Sequence, residues 1–445
     1  MKKILNRRQI QSILLLTAVI FILLCGVAYT VSARRTEAVV QTPAGVEKPP
    51  HELLRAARAS ANDRIEWETN IGGTGDETPV TVLQKNNELY VFGNTNSHDL
   101  DFTGLAEHKT RGFCARLSLL GRTLAFTVFD FTVAKAVPTA GGFAVAGNEG
   151  SVAGLYLLTD DLTVSGKATM PPAHALTAVG LYIFDNRYFL FASARDEATD
   201  KTTLLLHIYT VGLACEREKT FVHSYGLELL EVLPTANGGY LLAAAAKYQT
   251  TEHLTIARFS SLGEPAYTDI DLGYSYTPTA FLPLGDGYAA ACDAGGKCHL
   301  LLLSNDLVHK STQVLCPTAN ANRKTAFYAG GTYAYTGEQL VALSDEGRNM
   351  GAIDFAPQAV TAFCYNGVAA FVAGNTQNGI AVAMIGKQKT EVLQLQTANT
   401  QTALLCAGAN SLILCADNAA KTADCADWFG GADVWLSKIP LTGIA

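Results

Sequence analysis

Helix-period apolar stretches are almost missing beyond residue 62, and so is any second apolar run of membrane length. The first absence argues against a helical bundle, and the second excludes a polytopic helical membrane protein. Charge is also scarce: charged residues are 16% of the chain and hydrophobic residues 49%. Soluble domains carry roughly 25% charge, so a disordered polypeptide is excluded. No C-x-x-C occurs, which leaves a zinc ribbon or thioredoxin-type motif unsupported. HELLR at 51–55 lacks the second histidine of a zinc-protease helix, the AGGKC around Lys297 lacks the earlier glycine of a phosphate loop, and there is no G-x-S-x-G elbow. The 9 histidines are scattered singly, so a histidine metal cluster would have to be assembled between distant segments.

What is present begins with Lys2, Lys3, Arg7 and Arg8, followed by an apolar run over residues 13–31. As a helix that run is about 28 Å long, close to a bilayer core of ~30 Å. The basic residues before it hold residues 1–12 in the cytoplasm. Residues 13–33 then read as a transmembrane anchor or signal segment, 34–62 as a linker, and 63–445 as an extracytoplasmic domain. Val31-Ser32-Ala33 is a small-residue cleavage site, so secretion after cleavage near Ala33 is the alternative. Cys25 reads as one apolar residue of the span, because Leu24 stands where a lipid-attachment signal needs a small residue. Residues 1–35 hold six of the 33 basic residues and none of the 40 acidic ones. The remainder is therefore more acidic than the whole chain at −7, a poor match for nucleic acid or anionic lipid.

At 445 residues the chain exceeds the ~250–300 residues at which one core stops growing, so it holds several domains or a repeat. A repeat is visible. Triplets with a small or apolar centre recur: Thr81-Val82-Leu83, Lys135-Ala136-Val137, Thr177-Ala178-Val179, Glu231-Val232-Leu233, Thr279-Ala280-Phe281, Thr325-Ala326-Phe327, Thr361-Ala362-Phe363 and Thr402-Ala403-Leu404. Their spacing of about 46 residues falls in the range of propeller blades. Each triplet is followed by a Gly- or Asn-bearing turn and a second apolar strand, such as GGFAVAGN or NGVAAFVAGN, then a third, such as GLYLLT or HLLLLS. The second and third strands are nearly continuous apolar runs, as expected of strands covered on both faces. Fourth strands are weaker, with TLAFTVF and EVLQLQ the clearest. The pattern predicts an all-β β-propeller of about eight four-stranded blades, with seven as the alternative. The last unit ends after three strands, and a spare strand, RIEWETNI at 64–71, precedes the first. Pairing the strand of Trp67 with that of Trp435 would complete the last blade and close the ring, removing exposed sheet edges.

WETNIGGTGDE at 67–77, YVFGNTNSHDLDF at 90–102 and DVWLSKI at 433–439 resemble a bacterial secreted or surface β-propeller-repeat family with SBBP-like repeats. Gly72, Gly73, Gly75 and Asp76 match its first motif; Gly93, Thr95, Ser97 and Asp99 match its second; Asp433, Trp435, Lys438 and Ile439 match its third. The match covers the first and last units, while the middle six keep only the period. The resemblance implies a secreted or surface propeller of seven or eight blades, and it transfers no catalytic residue.

Candidate sites are few. Lys135 and Glu231 stand where the other units of the triplet frame carry Thr, which would place one basic and one acidic group in an otherwise hydroxylated axial channel. Two charges are too few for an axial active site. His98, Asp99 and Asp101 in the first unit and Asp424, Asp427 and Asp433 in the last form acidic loops. Calcium is conceivable there because carboxylates alternate, but the loops lack the ligand count and fixed glycine of a calcium loop, and solvated or turn-capping carboxylates are favoured. Cys292 and Cys298 flank a five-residue turn and could form a cross-hairpin disulfide; most other cysteines read as small buried hydrophobes. The function expected is that of a non-enzymatic, membrane-tethered monomer that binds a protein or glycan through one loop face and needs no cofactor. The alternatives are a polysaccharide-acting hydrolase or lyase and a structural surface scaffold. Only Trp67, Trp428 and Trp435 could stack on sugar, and all three belong to the closing unit.

Overall fold

Among the described residues, the short β-forming runs after residue 62 form 31 strands in the computed structural model. It describes residues 62–441 apart from 106–108, 172–175, 197–198, 200, 224–225, 236–237, 249–250, 261–262, 271–276, 295–296, 317–332, 336–338, 356, 387–389 and 426–427. The segment expected to cross or enter the membrane lies outside these residues. Among those described, no helix is long and apolar enough to cross a membrane.

β1 (Trp67–Ile71) precedes the meanders. The first sheet holds β2 (Glu77–Lys85), β3 (Glu88–Thr95), β4 (Arg111–Ser118) and β5 (Thr123–Phe129), with one 3₁₀ turn at Leu100–Phe102. The second holds β6 (Thr132–Thr139), β7 (Gly142–Glu149), β8 (Val152–Thr159) and β9 (Val164–Thr169). The third holds β10 (Leu176–Phe184), β11 (Arg187–Asp196), β12 (Lys201–Thr210) and β13 (Cys215–Phe221). The fourth holds β14 (Gly226–Pro234), β15 (Tyr240–Tyr248), β16 (Thr251–Phe259) and β17 (Ala266–Ile270). The fifth holds β18 (Thr277–Leu284), β19 (Gly287–Ala294), β20 (Lys297–Ser304) and β21 (His309–Cys316). Three strands of the sixth are described: β22 (Tyr333–Tyr335), β23 (Gln339–Leu343) and β24 (Asn349–Asp354). Its expected inner triplet, Thr325-Ala326-Phe327, lies outside the described residues. The seventh holds β25 (Ala359–Tyr365), β26 (Ala370–Thr376), β27 (Gly379–Ile385) and β28 (Thr390–Gln396). The eighth holds β29 (Ala403–Ala407), β30 (Ser411–Asn418) and β31 (Asp433–Pro440), and β1 completes it.

That last pairing is the expected closure. β1 runs antiparallel to β31, with Trp67 opposite Lys438 and Ile71 opposite Val434. Glu66 N donates to Lys438 O at 2.8 Å, Lys438 Nζ meets Glu66 Oε1 at 3.0 Å, and Trp435 Nε1 donates to Glu68 Oε2 at 3.2 Å. Trp67 carries the seam onward by donating from Nε1 to Leu119 O, between β4 and β5, at 3.0 Å.

The apolar residues sort into eight clusters, each shared by two consecutive sheets. One packs Val82, Leu89 and Phe113 of the first sheet against Ile413, Val434 and Leu436 of the eighth, so the cycle closes into a propeller. β7, β26 and β27 are buried along almost their whole length, which accounts for their unbroken apolar runs. β9 alternates between half-buried and exposed, and β24 is nearly all exposed, as expected of peripheral strands. Each fully buried Phe or Leu stabilises its interface by roughly 1.5–3 kcal/mol.

Two devices recur. In six sheets a β-bulge interrupts the pairing of the first and second strands, just before Thr81, Lys135, Gly180, Glu231, Ala280 and Ala362. These six are structural equivalents, which corrects the triplet frame. Thr279 and Thr361 are the extra bulge residues themselves, and Thr177 lies three positions before Gly180, so the axial positions are not uniformly hydroxylated. Secondly, five of the hairpins between third and fourth strands, those of the first, second, third, fifth and sixth sheets, share one turn. The hydroxyls of Ser118, Thr159, Thr210, Ser304 and Ser344 accept the amide four residues on at 3.1–3.2 Å. A left-handed residue closes each turn: Gly121, Leu162, Leu213, Leu307 and Gly347, with φ between 63° and 76°.

Candidate functional site

The acidic loop of the first sheet is built around its glycines. Five consecutive amides, from Gly72 to Asp76, donate to side chains: Gly72 N to Asp101 Oδ2 (3.0 Å), Gly73 N to Glu77 Oε2 (2.9 Å), Thr74 N to Asp99 Oδ1 (2.9 Å), Gly75 N to Ser97 Oγ (2.8 Å) and Asp76 N to Asn96 Oδ1 (2.7 Å). Glycine is required by this close approach: a Cβ on Gly75 would lie 2.0 Å from Asn96 Oδ1. Partial burial works against ionisation of Asp99, yet the backbone and side-chain hydrogen bonds from Thr74 bring it below the usual carboxylate range. Burial pushes Glu77 the other way, above its ordinary value, against hydrogen bonds from Ser97, Thr95 and Gly73. The loop joins the last sheet through Ala432 N to Asp76 Oδ1 at 3.1 Å and Glu77 N to Ala432 O at 2.5 Å. Asp99 and Asp101 thus share one glycine loop, with His98 exposed beside them. Asp424 does another task, accepting from Asn62 Nδ2 and Gln396 N, both at 2.7 Å; Asp427 lies outside the described residues.

Lys135 and Glu231 are brought together through a residue the sequence did not single out. The Lys135 ammonium sits 4.1 Å from the centroid of the Tyr182 ring, and Tyr182 hydrogen-bonds Glu231. Glu231 also accepts from Val232 N at 2.9 Å. The three half-buried side chains link the inner strands of the second, third and fourth sheets. Burial lowers the Lys135 pKa, while Glu231 pulls it back up. Burial and Glu231 both push the Tyr182 phenol up.

The Cys292–Cys298 bridge is corrected by register. Cys292 stands opposite His299, and Cys298 stands opposite Asp293. The two positions are therefore not directly opposite one another, as the expected cross-hairpin bridge requires, and Cys292 is buried.

A concavity lies on the face carrying the first-to-second and third-to-fourth hairpins, between the second and third sheets. It has a volume of about 510 Å³, and its walls include Pro138, Phe143, Leu157, Leu158, Ile183, Tyr188 and Val211. Ile183 is 36% exposed and Val211 62%. Lys85 braces one rim, donating to Gly142 O at 3.1 Å and to Asp160 Oδ1 at 2.5 Å. Leu120 and Val308 are also exposed at other hairpins of this face. The sequence gives no warning of the groove because its residues come from several strands and turns of two different sheets.

The architecture defines a β-propeller. The chain matches no family model and no curated protein. Among solved structures it is similar to BamB from Moraxella catarrhalis, with 10% identity, a TM-score of 0.47, and coverage of 83% of this chain and 99% of that one. It is similar also to BBS1N in complex with ARL6DN (12% identity, TM-score 0.47, 85% and 97%) and to streptogramin B lyase (12%, 0.42, 69% and 93%). At such identities the likeness is one of fold.

Proposed function

We propose that the chain is a binding module rather than an enzyme, held on the extracytoplasmic side of the membrane by residues 13–33, and that it takes a partner protein on its hairpin face. The groove walled by Leu157, Ile183 and Val211 carries this reading: it is apolar, partly open to water, and framed by turns whose hydroxyl-to-amide bonds hold them in one conformation. Preorganised apolar concavities favour apolar side chains of a partner, whereas a glycan is better served by exposed aromatic platforms and converging polar groups. The axial charges offer less support for an enzyme, since Lys135 and Glu231 engage each other through Tyr182. The SBBP-like motifs of the first and last units support a surface-exposed propeller of that repeat family.

Photo-crosslinking on intact cells tests the proposal, with a photoreactive residue placed at Ile183 or Val211 and, as control, at Glu228 on the opposite face. One protein adduct confined to the groove positions, and lost when the other groove residue is changed to Asp, is the expected outcome. Adducts to polysaccharide would favour the hydrolase or lyase reading, and no adduct would favour a scaffold.

A further inference from the structure

We propose that His207, Cys215 and Glu218, on the two outer strands of the third sheet, form a binding site for a thiophilic divalent transition-metal ion of the zinc class. Their ligand atoms all lie within 4.8 Å of one another. Cys215 Sγ is 3.9 Å from His207 Nδ1 and 4.0 Å from Glu218 Oε1. Bonds of ~2.0–2.3 Å to zinc put tetrahedral donors about 3.3–3.6 Å apart, so a modest closing movement completes the set.

The convergence depends on a bulge. His207 pairs with Glu218 and Tyr209 with Cys215, while Ile208 pairs with Arg217. Residues 215 and 218 are three apart, which in a regular strand would put them on opposite faces. The extra residue, Glu216, cancels one step of that alternation and turns both side chains toward His207. Glu216 itself is engaged by Arg187 Nε at 2.5 Å, so it does not compete for the ion.

The same bulge occurs between third and fourth strands of the first, second, fifth and sixth sheets. There the position of Tyr209 is held by Leu117, Leu158, Leu303 and Leu343, and none of these sheets repeats the His, Cys and Glu combination at the other positions. The turn therefore does not need these residues, and the third sheet departs from the repeat at several positions that converge in space. The donor set is imidazole, thiolate and carboxylate, which suits zinc with one position left open. Tyr209 Oη, 3.2 Å from His207 Nδ1, borders that position. His207 is buried at its base, whereas Cys215 and Glu218 are exposed, leaving a path from solvent. Burial lowers the His207 pKa, and the Glu218 carboxylate pulls it back up. Burial, and then Glu218, raise the Cys215 thiol; a bound cation reverses that penalty, and the thiol proton leaves to solvent as the metal–sulfur bond forms.

Cobalt(II) and zinc titrations of the full chain, purified in detergent with its thiols reduced, test the site. Cobalt should produce a near-ultraviolet thiolate charge-transfer band and the visible absorption of four-coordinate cobalt at a single equivalent, and zinc should abolish both. Cys215→Ser should remove the charge-transfer band, and Glu218→Gln should weaken cobalt binding by about tenfold or more. Both positions are exposed, and unchanged thermal unfolding of the metal-free variants would show that folding is intact. Absence of a thiolate band at stoichiometric cobalt, or its survival in Cys215→Ser, would overturn the proposal.

Discussion

At the scale of the residue, Glu77 shows what the glycine loop demands. Its side chain is fully buried, and it accepts from Gly73 N and from Thr95 Oγ1. Burial nevertheless raises its pKa above the ordinary value of 4.5, so the folded protein holds the Glu77 proton to higher pH than the unfolded chain does. Below pH 4.5 both states are protonated and Glu77 carries no penalty. As pH rises from there through the raised folded value, the unfolded state gives up its proton first, and stability falls to a lower plateau. Glu77→Gln mimics the protonated form at all pH values. Its melting temperature relative to the parent should therefore rise between pH 4 and 7, a comparison read by thermal unfolding at each pH; a constant difference would show that Glu77 is not the titrating group. Lys135 gives a second residue-scale test. Lys135→Met keeps the stem and removes the ammonium over Tyr182. Because desolvation opposes a charge there, stability at neutral pH should change by less than about 1 kcal/mol, measured by denaturant unfolding.

At the scale of the element, the Gly-Asn pairs that end several second strands have a task that sequence reading used only as a marker of period. Asn94 of β3 donates to Val133 O at 2.9 Å and accepts from Val133 N at 2.7 Å. Asn148 of β7 donates to Leu176 O at 2.6 Å and accepts from Ala178 N at 2.9 Å. Asn375 of β26 reaches Gln401 O at 2.8 Å, just before β29. The Asn94 and Asn148 amides thus satisfy backbone of the next sheet beside its bulge, where the ladder cannot, and Asn375 does so at the start of the eighth sheet, whose first two strands pair without a bulge. Asn148→Ala leaves a backbone donor and acceptor without that partner and should destabilise the protein by about 1–3 kcal/mol, whereas Asn148→Asp restores only the accepting half and should fall between; denaturant unfolding ranks the three. The same bulges explain what was and was not legible. Period, strand order and closing strand could be read because burial on both faces writes itself as unbroken apolar runs. The frame within the inner strand could not, because one extra residue per strand shifts every later side chain to the other face. Lys135 and Glu231 fell in the right frame, Thr177, Thr279 and Thr361 in the wrong one, and Tyr182 was invisible because its partners lie in two other sheets. The Ser/Thr turns at 118, 159, 210, 304 and 344 were a usable signal, written as a hydroxyl residue followed three positions later by Gly or Leu.

At the scale of the whole molecule, seven sheets are built from consecutive strands and one is built from the two ends of the described chain. The eighth sheet is therefore where the ring can open without breaking any meander. β31 is mostly buried along its length, and five of its eight residues pair with β1. A chain beginning at residue 72 would expose that edge and the apolar face of Val434 and Leu436, and an uncovered strand edge recruits another copy. Such a chain should form dimers or larger species in size-exclusion chromatography with light scattering, whereas the parent should be a monomer. Trp67→Ala keeps the strand but removes a buried indole and its bond to Leu119, and should cost about 3–5 kcal/mol. Its unfolding should begin at the seam, so hydrogen exchange of β1 and β31 should accelerate while that of β15, four sheets away in either sense, stays close to the parent. Uniform acceleration around the ring would mean that closure and the remaining sheets melt as one cooperative unit, and a monomeric chain lacking residues before 72 would mean that the eighth sheet stands without its outer strand.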